Sequence, residues 1–391
     1  MKGIYWRPKY VSRYVLVLVA LMALGSMLAV ETFKQRKEQR NFSAKLRAAR
    51  HMSSAMIEVK KFRLQHKLTG TDGREGAERF PIDKENDPTG SGLIGFPLSP
   101  ITSNTGYLLS KQATINPNFA AVAAHLLKRA GVEKGDVVAV GFSGSFPALN
   151  LAVLSACEVL GLEPIIITSA AASEWGANIP GLSWLEIENH LYKLRIVRHK
   201  TIAASIGGVE DKGYGMPPDG IKELKRVVEQ LGIVFLDAET EDTLERRMEI
   251  YDQAAAGRPV KSYINVGGGT ISVGSEHGKK LFLPGLNRRL PPEAADIDSI
   301  MVRFAQQDVP VIHFTQVRDL ARMYELPIPP TEAQQVGKGT IFYKVEYNLT
   351  LVAILLGVLL VAVYLLIRQN LMARFTGNPK KDAAGPPEPM V

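Results

Sequence analysis

Two charge-free apolar runs, residues 14–30 and 347–367, bracket the chain and constrain everything between them. A helix rises about 1.5 Å per residue and a hydrocarbon core is about 30 Å thick. Runs of 17 and 21 residues therefore reach across a bilayer. The 316 residues between them are then tethered at both ends, which excludes a freely diffusing enzyme. A cleaved signal peptide fits the first run less well. Ala29-Val30-Glu31 is a poor small-x-small site, and the run exceeds the usual h-region of about 7–15 residues.

The formal charge of +8 is unevenly spread. Residues 93–336 carry 23 Lys and Arg against 27 Asp and Glu, a net of −4, so the flanks hold +12. A nucleic-acid partner is not expected, because a phosphate-binding face gives its own domain a positive excess. Membrane lipid is the expected partner of the basic flanks. Lys2, Arg7, Lys9 and Arg13 precede the first run, and Arg368, Arg374, Lys380 and Lys381 follow the second. The positive-inside rule then puts both termini in the cytoplasm and the intervening domain outside it, although residues 31–50 add seven basic groups on the domain side. The single Cys157 excludes an internal disulfide and sits in an apolar helical run, as a buried hydrophobe.

This gives a cytoplasmic tail at 1–13, a span at 14–30 and a basic amphipathic stalk helix at 31–68. A linker at 69–92, an α/β domain at 93–336, a span at 347–367 and a basic disordered tail at 368–391 follow. On the stalk, Phe42, Leu46, Ala49, Met52, Met56 and Val59 recur at helical spacing. That stripe suits packing on its own domain or on a second copy, as a homodimer, or lying on the bilayer. In the domain, apolar strands at 136–142, 164–169, 201–206, 233–236, 262–266 and 309–314 alternate with helices at 146–160, 221–231, 240–255 and 292–307. A further helix at 116–131 takes Asn116 as N-cap, Pro117 at N1 and Gly131 at C′. Short Val/Ile runs separated by helices predict a doubly wound, mainly parallel, Rossmann-like α/β sheet covered on both faces.

Ligands of such sheets gather at the carboxyl ends of the strands. Three turns there are rich in glycine and serine. Gly141, Ser143, Gly144 and Ser145 form the first, with Ser145 as a helix N-cap. Gly207, Gly208 and Asp211 belong to the second, and Asn265, Gly267, Gly268, Gly269 and Thr270 to the third. Successive glycines allow nests of backbone N–H groups that bind anions. None matches GxGxxG or GxxxxGK[ST], so no dinucleotide or P-loop site is expected and no cofactor is implied. GGGT resembles the phosphate-binding turn of actin-like kinases, but Asn265 stands where those enzymes have Asp. No cysteine or histidine spacing suggests a metal. Gly141-Phe142-Ser143-Gly144-Ser145 also approaches the GxSxG nucleophile elbow, which makes Ser143 a candidate catalytic serine with Asp237 and His277 or His313 as partners. Trp175 and Trp184 lie in a stretch that suits either a ligand lid or a surface plug.

Four long strings, SPITSNTGYLLSKQATINPNFAAVAAHLLKRAGV, GDVVAVGFSGSFPALNLAV, SAAASEWGANIPGLSWLEIE and AASIGGVEDKGYG, with NVGGGT beyond them, resemble the membrane-anchored poly-gamma-glutamate system protein family. The resemblance is strong over residues 92–215. It implies an accessory protein of poly-γ-glutamate synthesis and export, for a capsule or secreted polymer, whose partners are the synthase subunits and the polymer itself. The alternative is a serine-dependent γ-glutamyl hydrolase or transferase acting on that polymer. A core of net −4 argues against wrapping a polyanion, so local capture by N–H nests and by Lys193, Arg195, Arg198, Lys200, Arg288 and Arg289 is the expected mode.

Overall fold

Val137–Ser143 is buried at every position, which only a strand covered on both faces achieves. In the computed structural model it is the central strand of a seven-stranded sheet. The structure describes residues 13–65, 81–275, 277–330 and 332–375. The first twelve residues of the expected tail, residues 66–80 at the stalk–linker junction, and the tail from 376 lie outside them. Two compact units are formed, one of Glu38–Phe342 and one of the described parts of Met1–Lys37 and Tyr343–Val391.

In chain order the elements begin with α1 (Arg13–Thr32), β1 (Gln35–Glu38), α2 (Phe42–Gln65), β2 (Thr102–Asn104), α3 (Leu108–Thr114), α4 (Phe119–Ala130), β3 (Val137–Ser143), α5 (Pro147–Leu160), β4 (Glu163–Ser169) and β5 (Ala172–Ser173). There follow α6 (Trp184–Lys193), β6 (Ala203–Ser205), α7 (Pro218–Gln230), β7 (Val234–Leu236), α8 (Thr243–Ala255) and β8 (Val260–Val266). The last are α9 (Thr270–Val273), α10 (Gly278–Leu281), β9 (Gly285–Asn287), α11 (Ile300–Gln306), β10 (Val311–Phe314), α12 (Val317–Met323), β11 (Tyr343–Glu346) and α13 (Leu349–Phe375).

The sheet runs β7-β6-β4-β3-β8-β10-β9. All neighbours are parallel except β9, which closes one edge antiparallel to β10. The chain winds outward from β3 to β7, then returns beside β3 with β8 and winds the other way. This is the expected doubly wound α/β fold, with its switch point between β3 and β8. Helices α4 and α5 cover one face. On the other, Tyr251 of α8, Tyr263 of β8 and Phe304 of α11 pack as an aromatic cluster, with Tyr263 and Phe304 stacked at 4.9 Å. The Tyr251 hydroxyl donates to the Val140 carbonyl at 2.8 Å, which ties that cluster to the central strand.

The basic stretch after the first apolar run is not one helix. β1 interrupts it, and Asn41 turns the chain with a φ of 60° before α2 starts. Helix α2 is part of the domain. Ala48, Ala49, Met52, Ala55 and Val59 are buried against α4, α5 and α6, and the buried Lys45 amine donates to the Ile341 carbonyl at 2.9 Å. Its apolar stripe is thus covered within the chain. Residues 81–92 of the expected linker are ordered beneath it. Arg63 donates to the carbonyls of Pro81, Gly92 and Ile94, and buried Asp87 accepts from the Ser91 and Gly92 N–H groups.

Two further boundaries differ. Asn118, not Asn116, precedes the first turn of α4, because the Asn116 side chain accepts the Asn118 N–H in a turn of its own. The 292–307 helix is split into a short 3₁₀ turn at Pro292–Ala294 and α11, which Ser299 caps.

In the smaller unit α1 and α13 pack together, and β1 pairs with β11. The Tyr347 hydroxyl donates to Glu31, so α1 ends where α13 begins. Among the described residues α13 alone is long and apolar enough to cross a membrane, while the apolar part of α1, Leu16–Thr32, is shorter.

If α2 belongs to the domain core, Met52→Ala should destabilise the domain by about 2–4 kcal/mol through the cavity it leaves. Ile57→Ala, at a side chain 55% exposed, should cost under about 0.5 kcal/mol. Urea unfolding of the two variants measures the difference.

Candidate functional site

A cleft of about 620 Å³ opens at the carboxyl ends of β3, β4, β6, β8 and β10, centred on the switch point. All three glycine turns reach it. Ser143, Ser145, Gly208, Asp211, Gly267, Gly268, Gly269 and Thr270 line its wall. Gly141, Gly144, Gly207 and Asn265 do not, and each has a different task.

Gly141 lies inside β3, where a Cβ would come 2.4 Å from the Tyr263 hydroxyl, so its small size serves packing. Gly144 donates its N–H to the Ser169 carbonyl, and Gly207 accepts from the Gly213 N–H, which shapes the second turn. Asn265 is buried and donates to the Gly267 carbonyl at 2.9 Å and to His313 Nδ1 at 3.0 Å. Burial lowers the His313 imidazole to about 4, so it is neutral and supports the turn from beneath. Gly267 itself has a φ of 97°, which a side chain would strain.

The first turn is held by Asn150, whose side chain donates to the Ser143 carbonyl at 2.9 Å. The Ser145 N–H donates to Ser143 Oγ at 3.2 Å. Ser145 does not cap α5. Phe146 takes that position, and Ser145 Oγ accepts the Ser173 N–H at 2.9 Å. Among the described residues no triad forms around Ser143. His313 is bound to Asn265, His277 is exposed at the start of α10, and Asp237 lies in the turn after edge strand β7.

Asp211 is the sole carboxylate among the described lining residues, and it is already neutralised. Arg247 of α8 donates to it at 2.8 Å with both side chains buried, and Ser205 Oγ donates to its other oxygen at 2.6 Å. This pair fixes the second turn, in which Glu210 and Asp211 both have positive φ. Removal of either partner would leave a buried charge alone, at a cost of about 3–5 kcal/mol.

Two lysines that sequence reasoning passed over face the cleft. Lys111 of α3 is buried. Its Nζ donates to the Ser145 carbonyl and to Ser173 Oγ at 2.8 Å, and it lies 3.7 Å from the Phe146 ring centre. Burial, reinforced by the charge of Lys279, lowers the Lys111 ammonium to about 7. Lys279 of α10 lies over the third turn, where a Cβ on Gly268 would meet its Nζ at 2.9 Å. Eleven lining residues carry hydroxyls, among them Ser103, Ser110, Ser169 and Thr315. Hydroxyls both donate and accept, so they make the cleft polar without choosing a charge, and the described lining residues with a formal charge are two lysines and the Arg247-bound Asp211.

The basic groups expected to hold a ligand are elsewhere. Arg198 pairs with Glu158 at 2.7 Å, Lys200 lies over Tyr192, and Arg288 donates to the Arg129 carbonyl. Neither they nor Lys193, Arg195 and Arg289 line the cleft. Trp184 is fully buried against Phe142, as a plug, while the loop before it is clamped by Asn178, which bonds Phe96 and Thr102. Cys157 is buried, and burial pushes its thiol pKa up, so it is unreactive. Compared with models of protein families, with curated proteins and with solved structures, the chain matches none.

The Lys111 pKa carries a sign for stability. Folding holds Lys111 with fewer protons than the unfolded chain between pH 7 and pH 10.5. The penalty is complete below pH 7 and fades as pH rises to 10.5, by up to about 1.4 kcal/mol per unit. Lys111→Met should therefore gain melting temperature relative to the native chain at pH 6.5 and lose that advantage by pH 9.5. Melting curves at the two pH values check it.

Proposed function

We propose that this protein is a membrane-anchored accessory component that captures a carboxylate-bearing ligand in the cleft at the β3/β8 switch point. The observation that carries the reading is electrostatic. Lys111 and Lys279 lie on the wall of the cleft, and its one described carboxylate, Asp211, is bound to Arg247. The third turn, Gly267–Thr270, lines the cleft beside Lys279.

The resemblance of residues 92–215 to the poly-gamma-glutamate system proteins supports γ-glutamyl carboxylates as the ligand, and the synthase subunits as partners. A cleft of about 620 Å³ suits an end or short segment of the polymer rather than a wrapped chain. Helix α13 is the anchor best supported by length, and the meeting of α1 and α13 at Glu31 and Tyr347 suits a two-span hairpin. With both basic tails cytoplasmic, the α/β domain is extracytoplasmic, where a secreted polymer is met.

Titration of the full-length protein in nanodiscs with γ-glutamyl oligomers tests this. Loss of one charged hydrogen bond costs about 1.5–3 kcal/mol, so Lys279→Ala should weaken binding roughly ten- to a hundredfold. Gly267→Val, which strains the third turn, should weaken it as well. Oligomers that do not bind, or that bind both variants as tightly as the native protein, would overturn the reading.

A further inference from the structure

We propose that Ser173 and Lys111 act as a serine–lysine pair that transfers acyl groups inside this cleft, with Ser173 Oγ as nucleophile and Lys111 Nζ as its base. The two atoms stand 2.8 Å apart, within the reach that proton abstraction needs. Both residues line the cleft.

Each is held from outside the pair. Ser173 lies on β5, which pairs with β2 through Asn104, and its N–H is bound by Ser145 Oγ. Lys111 is anchored by the Ser145 carbonyl and by the Phe146 ring. Ser145 therefore sets the position of both partners, and the reacting atoms sit on packed elements rather than on a loose loop. Burial and the nearby Lys279 favour the neutral amine, the form a base requires. Among the described residues, Ser143, the serine of the elbow-like motif, has no such partner, and its Oγ only accepts the Ser145 N–H.

The chemistry closes without any co-reactant but water. Neutral Lys111 takes the Ser173 hydroxyl proton as Oγ bonds to the acyl carbon. The bond from that carbon to the leaving nitrogen or oxygen breaks, and the Lys111 ammonium returns the proton to the departing group. Water then attacks the Ser173 ester, gives its proton to Lys111, and the acid leaves as Ser173 is reprotonated. The substrate class is an amide or ester whose acyl part carries a carboxylate held by Lys279 and the third turn. That last feature rests on the anion reading above, whereas the reactivity of the pair does not.

The test treats the full chain in nanodiscs with a fluorophosphonate probe, which phosphonylates an activated serine with loss of fluoride, and maps the adduct by peptide mass. The expected result is one adduct on Ser173, absent in Ser173→Ala. Its rate should rise through pH 7 and then level. Lys111→Arg keeps the donor capacity but carries a permanent charge and cannot act as a base, so the folded variant should label at least a hundredfold more slowly. An adduct on Ser143 instead, no adduct at all, or a folded Lys111→Arg that labels at the native rate would overturn the pair. Labelling of Ser173 without binding of γ-glutamyl oligomers would support the pair and defeat the anion reading. Binding without labelling would do the reverse.

Discussion

The parallel pairing of β3 with β8 is the contact on which the rest of the structure depends. These strands are separated by more than a hundred residues, yet Ala139, Val140 and Gly141 register against Tyr263, Ile264 and Asn265. Gly141 allows that approach by making room for the Tyr263 hydroxyl. Because the chain leaves β3 in one direction and comes back beside it, the turns after the two strands diverge to opposite sides. A crevice opens between them. Ser143–Ser145 and Gly267–Thr270 meet in one cleft, with Gly267 against Ser143, only because this one pair of strands is in register.

The crevice is supported by buried polar contacts, each of which fixes one turn. Asn150 holds the first, Arg247 with Asp211 and Ser205 the second, and Asn265 with His313 the third. None of these side chains needs to meet a ligand to matter. Their effect is to hold the amides and hydroxyls of the cleft in place before anything binds, which lowers the ordering cost of recognition. The charge pattern follows from the same contacts. With Asp211 committed to Arg247, no unpaired carboxylate is left among the described lining residues of the cleft, inside a domain segment that is negative in sum.

Much of the sheet was legible from the chain because its strands are continuous Val/Ile runs buried on both faces, and β3, β4, β8 and β10 fall within two residues of expectation. The elements that escaped notice lack that signal. β1 is wholly exposed and pairs with β11, some three hundred residues away, and β9 is three residues at an edge. α6 carried a readable sign in Ser183 and Glu186, which form a capping box. The glycine turns were legible as a group, but their division of labour was not. Only packing reveals that Gly141 serves Tyr263 and that Asn265 works from beneath. Nothing in the sequence singled out Lys111. Its burial arises from the way residues 99–115 fold over the ends of β3 and β4, a non-local event that periodicity does not report.

The most direct measurement of the central claim is a heteronuclear amide spectrum of the glycine-labelled protein with γ-glutamyl-glutamate added stepwise. If the cleft at the switch point is the anion site, the Gly208, Gly267, Gly268 and Gly269 amides shift together along one saturating curve. Gly131 and Gly161, which end α4 and α5, stay still. Shifts confined to those helix ends, or no saturating change at the turns, would contradict the account.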